Sequence, residues 1–443
     1  MRILVPISVL LVGLAVAAGS AVPAPAAPSQ TSQVAVTATA DAYVSASARR
    51  RNFGRARALL VRGRPAARAY VRFDLRGLRG PVARARLVVY SLGRSARSVR
   101  VRTSSARWNE RRITFAKAPR AGGTAGTARA ARGLVSIDVT RAVRTGSILS
   151  FALSTTGRGG LRLASREAGS SRRPQLVLEQ APETLIAAGD IAGDTPGDEQ
   201  TAALLDQIPG TVAALGDLAY EDGTAAEFAT WYAPTWGRAY ARTRPAPGNH
   251  EYQTPGAAGY FGYWAAIAGN PTQGWYSYDL GAWHVVSLNS NCDFIGGCGA
   301  GSAQEKWLRA DLTSHPARCT LAYWHHPRFS GGVVGGSSMM QPLWQALYEA
   351  KADFVLVAHA HNYQRFAPMK ASGELDARRG IREFVVGTGG RSHHAAGAAT
   401  NLELANDTTF GVLKLTLNAA GYDWQFVPVA GASFTDSGSA ACH

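Results

Sequence analysis

The chain has 443 residues, enough for two domains with sizeable cores. Its 46% hydrophobic and 17% charged content excludes wholesale disorder, and its single long apolar run excludes a polytopic membrane protein. The net charge of +17 suggests a nucleic-acid binder only until it is mapped along the chain.

Arg2 is followed by an uncharged, mostly apolar stretch, Ile3 to Ala18, then by small residues and a Pro/Ala tract. This order predicts an export signal over residues 1–27, cleaved between Ala21 and Ala27. The run is short for a membrane anchor, so a secreted, extracellular protein without stable membrane insertion is expected. Four cysteines, Cys292, Cys298, Cys319 and Cys442, agree with export. Three pairings are possible. The short glycine-rich loop favours Cys292–Cys298, which leaves Cys319–Cys442. No C-x-x-C spacing supports a zinc site.

Residues 34–180 hold 31 basic and 6 acidic residues. Residues 181–443 hold 15 basic and 24 acidic residues and all 10 histidines. The boundary falls near Gln180-Ala181-Pro182. With no histidine and few carboxylates, the basic part is a poor candidate for catalysis. Its short apolar or alternating runs predict strands at Ala69–Phe73, Ala85–Tyr90, Val99–Thr103, Val135–Val139, Ile148–Leu153 and Gln175–Glu179, an all-β sandwich. Four segments here, ATADAYVSASARRRNFG, SARWNERRITF, IDVTRAV and LASREAGSSRRPQLVLE, resemble the DNRLRE-type domain. AYVRFDL and ARLVVYSL between them strengthen the likeness. The resemblance implies a jelly roll akin to carbohydrate-binding modules. The arginines suit an anionic polymer or polysaccharide, or simply a solvated basic surface. No motif for sequence-specific nucleic-acid recognition is present.

The acidic part, 181–443, carries the chemistry. Leu185–Ala188 ends in Gly189-Asp190. Val212–Leu215 ends in Gly216-Asp217-Leu218-Ala219-Tyr220. Pro247-Gly248-Asn249-His250-Glu251 follows. Leu321–Trp324 leads into His325-His326-Pro327, and Phe354–Val357 into Ala358-His359-Ala360-His361. Each is an apolar strand with polar groups just past its carboxyl end, where open α/β sheets place their sites. On an extended strand His359 and His361 would share one face. Helices are predicted at Asp198–Ile208, Ala226–Tyr240, Gln304–Leu312 and Gln341–Lys351. Carboxylates, imidazoles and a phenol in this series suit two metal ions about 3.5–4 Å apart, screened by a shared carboxylate.

The series GD, GDxxY, GNHE, HHP and HxH resembles the calcineurin-like metallophosphoesterases. The tyrosine of GDxxY and the run Val386-Gly387-Thr388-Gly389-Gly390 resemble the purple acid phosphatase branch. The likeness implies two β-sheets flanked by helices, and an acid phosphatase acting on small phosphate monoesters. It implies Fe(III) held by Asp190, Asp217, Tyr220 and His361. A second, divalent Fe, Zn or Mn would be held by Asp217, Asn249, His325 and His359. His250 would face the substrate and protonate the leaving group, and Glu251 would orient His250. His326 and Arg328 are further candidates for substrate contact, with His393 and His394 beside them. The family's nucleophile, a metal-bound hydroxide, needs no phosphoenzyme. Ala358 stands where the family usually has glycine. Phosphodiesters or nucleotides are alternative substrates for the same site. A cell-wall or polysaccharide-binding protein with an accessory phosphatase domain is the reading from another class.

Overall fold

A computed structural model describes residues 32–78, 80–94, 98–156 and 159–443. The proposed export signal lies outside the described residues. Among the described residues, eleven antiparallel strands run from Ser32–Thr37 to Gln175–Gln180. Their inward positions, among them Leu59, Val71, Phe73, Leu87, Phe151, Leu163 and Leu176, are buried in one core. All six strands expected here are present. The strands Ser32–Thr37, Ala40–Ser45, Ala58–Arg62, Ala121–Arg129 and Gly160–Ala164 add to them. Ala121–Arg129 is rich in Gly, Ala and Thr and buries no residue fully, so it carries no apolar signal.

Only Ala181-Pro182 separates this sandwich from the first strand of the second domain, Glu183–Ala188. That strand lies parallel to Thr211–Leu215, which lies parallel to Thr243–Ala246. Gly411–Asn418, Gly421–Pro428 and Ser437–Ala441 extend this sheet antiparallel. In the second sheet Trp283–Ser287, Cys319–Tyr323, Phe354–Val357 and Arg382–Val386 are parallel. The strands Trp283–Ser287, Cys319–Tyr323 and Phe354–Val357 are buried along their whole length. That is why they read as continuous apolar runs in the sequence. Helices Gly197–Gln207, Ala303–Ser314 and Gln341–Glu349 stand close to where their periodicity predicts them.

The helix expected over Ala226–Tyr240 is not continuous. It runs from Ala225 through Tyr232, breaks at Pro234, and resumes as a tight turn over Trp236–Arg242. Proline has no N–H to donate and clashes with the preceding turn.

The disulfides are Cys292–Cys298 and Cys319–Cys442. The second closes a sequence separation of 123 residues and fastens the carboxyl-terminal strand to the strand that leads to His325. On chain-entropy grounds, Cys442→Ser should lower stability by about 4–5 kcal/mol in denaturant unfolding. A loss below about 1 kcal/mol would mean the unfolded chain does not exploit that freedom.

Candidate metal centre

The parallel strands of both sheets bring their carboxyl ends to one place. Asp190 follows strand Glu183–Ala188 by two residues, Asp217 follows Thr211–Leu215, and His325 follows Cys319–Tyr323. Asn249 and His359 lie just past Thr243–Ala246 and Phe354–Val357. Asp190, Asp217 and His359 adopt left-handed backbone, with φ of 58°, 51° and 68°. Such conformations in residues with a Cβ cost about 1–3 kcal/mol each and cluster at functional sites. Gly248 is required by close approach, since a Cβ there would lie 2.1 Å from Asp217 Oδ1.

The donor atoms fall into two groups that share one oxygen. Tyr220 Oη lies 3.1 Å from Asp190 Oδ1, 3.2 Å from Asp217 Oδ2 and 3.2 Å from His361 Nε2. His325 Nε2 lies 3.1 Å from Asp217 Oδ2, 3.1 Å from Asn249 Oδ1 and 3.2 Å from His359 Nδ1. Asp217 Oδ2 belongs to both. All seven expected metal-ligating residues therefore meet here. His359 and His361 do so differently from expectation. The left-handed turn at His359 ends the extended run, so the two rings serve opposite sides of Asp217 instead of sharing a strand face.

The donors fit a pair of cations. Atoms bound at about 2.0–2.2 Å to one ion sit roughly 3.0–3.4 Å from each other, the spacing seen in both groups. The Tyr220 hydroxyl has one proton and faces two carboxylate oxygens and the His361 ring nitrogen. Asp190 and Asp217 are 0% and 1% exposed, two carboxylates in one dry site. Burial and the neighbouring Asp217 raise the Asp190 carboxyl to about 7. Burial opposes a charge on His325, yet Asp217 and Asp190 raise it to about 9, so the carboxylates recruit positive charge. Burial and neighbouring imidazoles hold His359 down to about 4 and His361 down to about 3, which keeps their ring nitrogens free to ligate. Burial and the two aspartates push the Tyr220 phenol well above its usual range, so its ionisation requires a strong Lewis acid beside it. The outer ring nitrogens are fixed: His325 Nδ1 on the Leu215 carbonyl at 2.9 Å, and His361 Nδ1 on Ser392 Oγ at 2.6 Å.

Residues 176–363 match the calcineurin-like phosphoesterase family, and residues 32–180 match carbohydrate-binding module family 96. The chain carries a calcineurin-like phosphoesterase domain behind a family 96 carbohydrate-binding module. Purple acid phosphatase 22 of Arabidopsis thaliana is 32% identical over 98 residues, 21% of this chain and 22% of that protein. An uncharacterized protein of Mycobacterium tuberculosis is 28% identical over 192 residues, 34% of this chain and 36% of its own length. The chain thus spans about a fifth to a third of these relatives. Among solved structures, purple acid phosphatase PPD1 from yellow lupin (Lupinus luteus) seeds aligns with a TM-score of 0.49 at 17% identity. That alignment covers 86% of this chain and 73% of that one.

A cavity of about 460 Å³ opens onto the centre of the phosphoesterase domain. Asp217, Tyr220, His359 and His361 line its floor, with His250 and Arg391 among the walls. The His250 side chain is 27% exposed and bonds through Nδ1 to the Glu221 carbonyl, leaving Nε2 3.9 Å from Asp217 Oδ2. Glu251 does not orient it, contrary to expectation. The Glu251 carboxylate accepts the N–H groups of Asp217 at 2.9 Å, Leu218 at 2.7 Å and Gly248 at 2.6 Å. It braces the two ligand loops against each other.

Of His326 and Arg328, expected at the substrate, only Arg328 turns away; His326 stays beside the centre, with a ring nitrogen within 4.8 Å of those of His325 and His359. His326 Nδ1 is engaged by Ser290 Oγ at 2.8 Å, and its ring packs on His359. The Arg328 guanidinium donates to the Ala371 carbonyl, drawn inward with a loop whose N–H groups bond the buried Glu383 carboxylate. Arg391, Ser392 and Glu221 were missed. Arg391 lies 5.1 Å over the Tyr220 ring and pairs with Asp194 and Glu221. Its place directly after the Val386–Gly390 run was the available signal. His394 stacks on His361 at 3.9 Å, and His393 stacks instead on Phe410. The methyl of Ala358 is accommodated because Gly189 faces it; a Cβ there would come within 2.6 Å.

Proposed function

We propose that this chain is a secreted two-metal phosphatase acting on phosphate monoesters. The observation that carries the reading is the pair of donor groups sharing Asp217 Oδ2. Asp190, Tyr220 and His361 offer the hard, anionic set suited to Fe(III). Asn249, His325 and His359 offer a softer set suited to divalent Fe, Zn or Mn. Bound there, the ions would polarise phosphoryl oxygens and lower the pKa of a ligated water. His250 supplies the proton: with Nδ1 tied to Glu221, Nε2 is the edge facing the cavity, and it protonates the departing ester oxygen. Arg391 brings a positive charge to the wall where a phosphate dianion would lie.

Two disulfides support action in an oxidising compartment. Among the described residues no helix is long and apolar enough to cross a membrane. The amino-terminal module would hold the enzyme on a polysaccharide or other anionic polymer.

The test compares hydrolysis of p-nitrophenyl phosphate with that of bis-p-nitrophenyl phosphate. Faster monoester hydrolysis is expected; a diester preference would overturn the substrate assignment. His250→Asn should lower turnover of an alkyl phosphate by about 10²-fold or more. It should affect p-nitrophenyl phosphate far less, because that leaving group departs without a proton. Equal losses on both esters would remove His250 from the proton-donor role.

A further inference from the structure

The basic amino-terminal domain gathers carboxylates where its composition makes that least expected. Residues 34–180 contain six acidic side chains among 31 basic ones. Three of the six serve local partners. Asp74 pairs with Arg76, Glu179 pairs with Arg86, and Asp138 accepts from Thr140. The other three, Asp41, Glu110 and Glu167, each offer an oxygen within 4.8 Å of the other two. They come from three separate segments: strand Ala40–Ser45, the connection before strand Ala121–Arg129, and the turn after strand Gly160–Ala164.

Asp41 is 1% exposed. Its Oδ2 accepts the Arg166 N–H at 2.6 Å, whereas its Oδ1 is buried with no hydrogen-bond partner. A buried carboxylate oxygen left in this way is costly unless a cation meets it. The Arg166 guanidinium donates to the Thr39 carbonyl at 2.7 Å and pairs with Glu110 Oε2 at 3.3 Å, while Asp41 receives only the Arg166 backbone N–H. Burial raises the Asp41 carboxyl to about 7, and Glu167 and Glu110 add to the effect. The surroundings are already built. Asn52 Nδ2 donates to the Glu110 and Ile113 carbonyls at 2.8 and 2.7 Å, and the Asp41 N–H donates to Glu110 Oε1 at 2.8 Å.

We propose that Asp41, Glu110 and Glu167 form a calcium site that ties strand Ala40–Ser45 to two connecting segments of the sandwich. The donors are all oxygen, which selects a hard cation over zinc or copper. Carboxylates gathered from three segments suit the larger and irregular coordination of calcium better than the strict octahedron of magnesium. The site lies in a different domain from the phosphoesterase centre and does not depend on that activity.

The experiment is equilibrium dialysis of the purified full-length protein against radioactive CaCl₂, with Glu167→Gln and Asp41→Asn alongside. The wild type should hold one more calcium ion than either variant, or bind that ion at least tenfold more tightly. Its thermal midpoint should rise with CaCl₂ and fall with EGTA, and Glu167→Gln should lose that response. Glu167 is exposed, so its variant folds even where Asp41→Asn does not. Equal calcium content and equal midpoints in wild type and Glu167→Gln would overturn the proposal and leave Arg166 as the cluster's own counter-ion. An equal response to MgCl₂ would overturn the assignment to calcium.

Discussion

Replacing Asp217 with asparagine should lower phosphate-ester hydrolysis by more than about 10³-fold, because even residues that only orient metal ligands are worth about 10–100-fold. Asp217 Oδ2 is the one atom common to both donor groups, 3.2 Å from Tyr220 Oη and 3.1 Å from His325 Nε2. Its Oδ1 accepts the His250 N–H at 2.9 Å, so the side chain also sets the start of the loop that carries the proposed proton donor. Asparagine keeps the volume and can keep that backbone bond. It would then turn a neutral amide toward Tyr220 and His325, where two cations need a shared negative charge to lie close together. Metal content should fall with activity while the fold persists. A variant that retains two metals and works within tenfold of the wild type would remove Asp217 from the bridging position.

Glu251→Ala should act on stability as much as on activity. The carboxylate is fully buried and accepts three backbone N–H groups, from Asp217, Leu218 and Gly248. Each donor left unpaired in a dry site costs about 1–3 kcal/mol, so a loss of roughly 3–5 kcal/mol is expected in denaturant unfolding. The ligand loops bearing Asp217 and Asn249 would be released from each other, and metal affinity should fall as well. Glu251→Gln should be intermediate, since its amide nitrogen cannot accept an N–H. If Glu251→Ala kept full stability and lost only turnover, the side chain would be acting on the reaction and not on the loops.

The convergence of the candidate metal-ligating residues was legible because the fold repeats one arrangement. A strand buried on both faces reads as a short apolar run, and the polar residue just past it stands at the site. Asp190, Asp217, His325 and His359 all follow that arrangement, and their order carried the resemblance. The direction of neighbouring side chains was not legible. Glu251 and His250 are adjacent in sequence, yet one turns inward to three N–H groups and the other faces the cavity. Arg328 stands close to His325 in sequence, but the buried Glu383, 55 residues further on, holds its loop away. Such outcomes depend on distant partners, which spacing does not record. Likewise the break at Pro234 in the helix expected over Ala226–Tyr240 is one that apolar periodicity alone does not mark. In the amino-terminal sandwich, strands with alternating apolar residues were readable, whereas Ala121–Arg129 has nothing apolar to mark it.

The central claim of the proposed function is that Tyr220 and its neighbours hold Fe(III), one of two metal ions in the phosphoesterase domain. The visible absorption spectrum of the purified protein, with metal analysis of the same sample and of Tyr220→Phe, tests it most directly. About two metal ions per chain including iron are expected, with a broad visible band that disappears in Tyr220→Phe. A colourless protein holding two zinc or manganese ions, or a band that survives Tyr220→Phe, would contradict it.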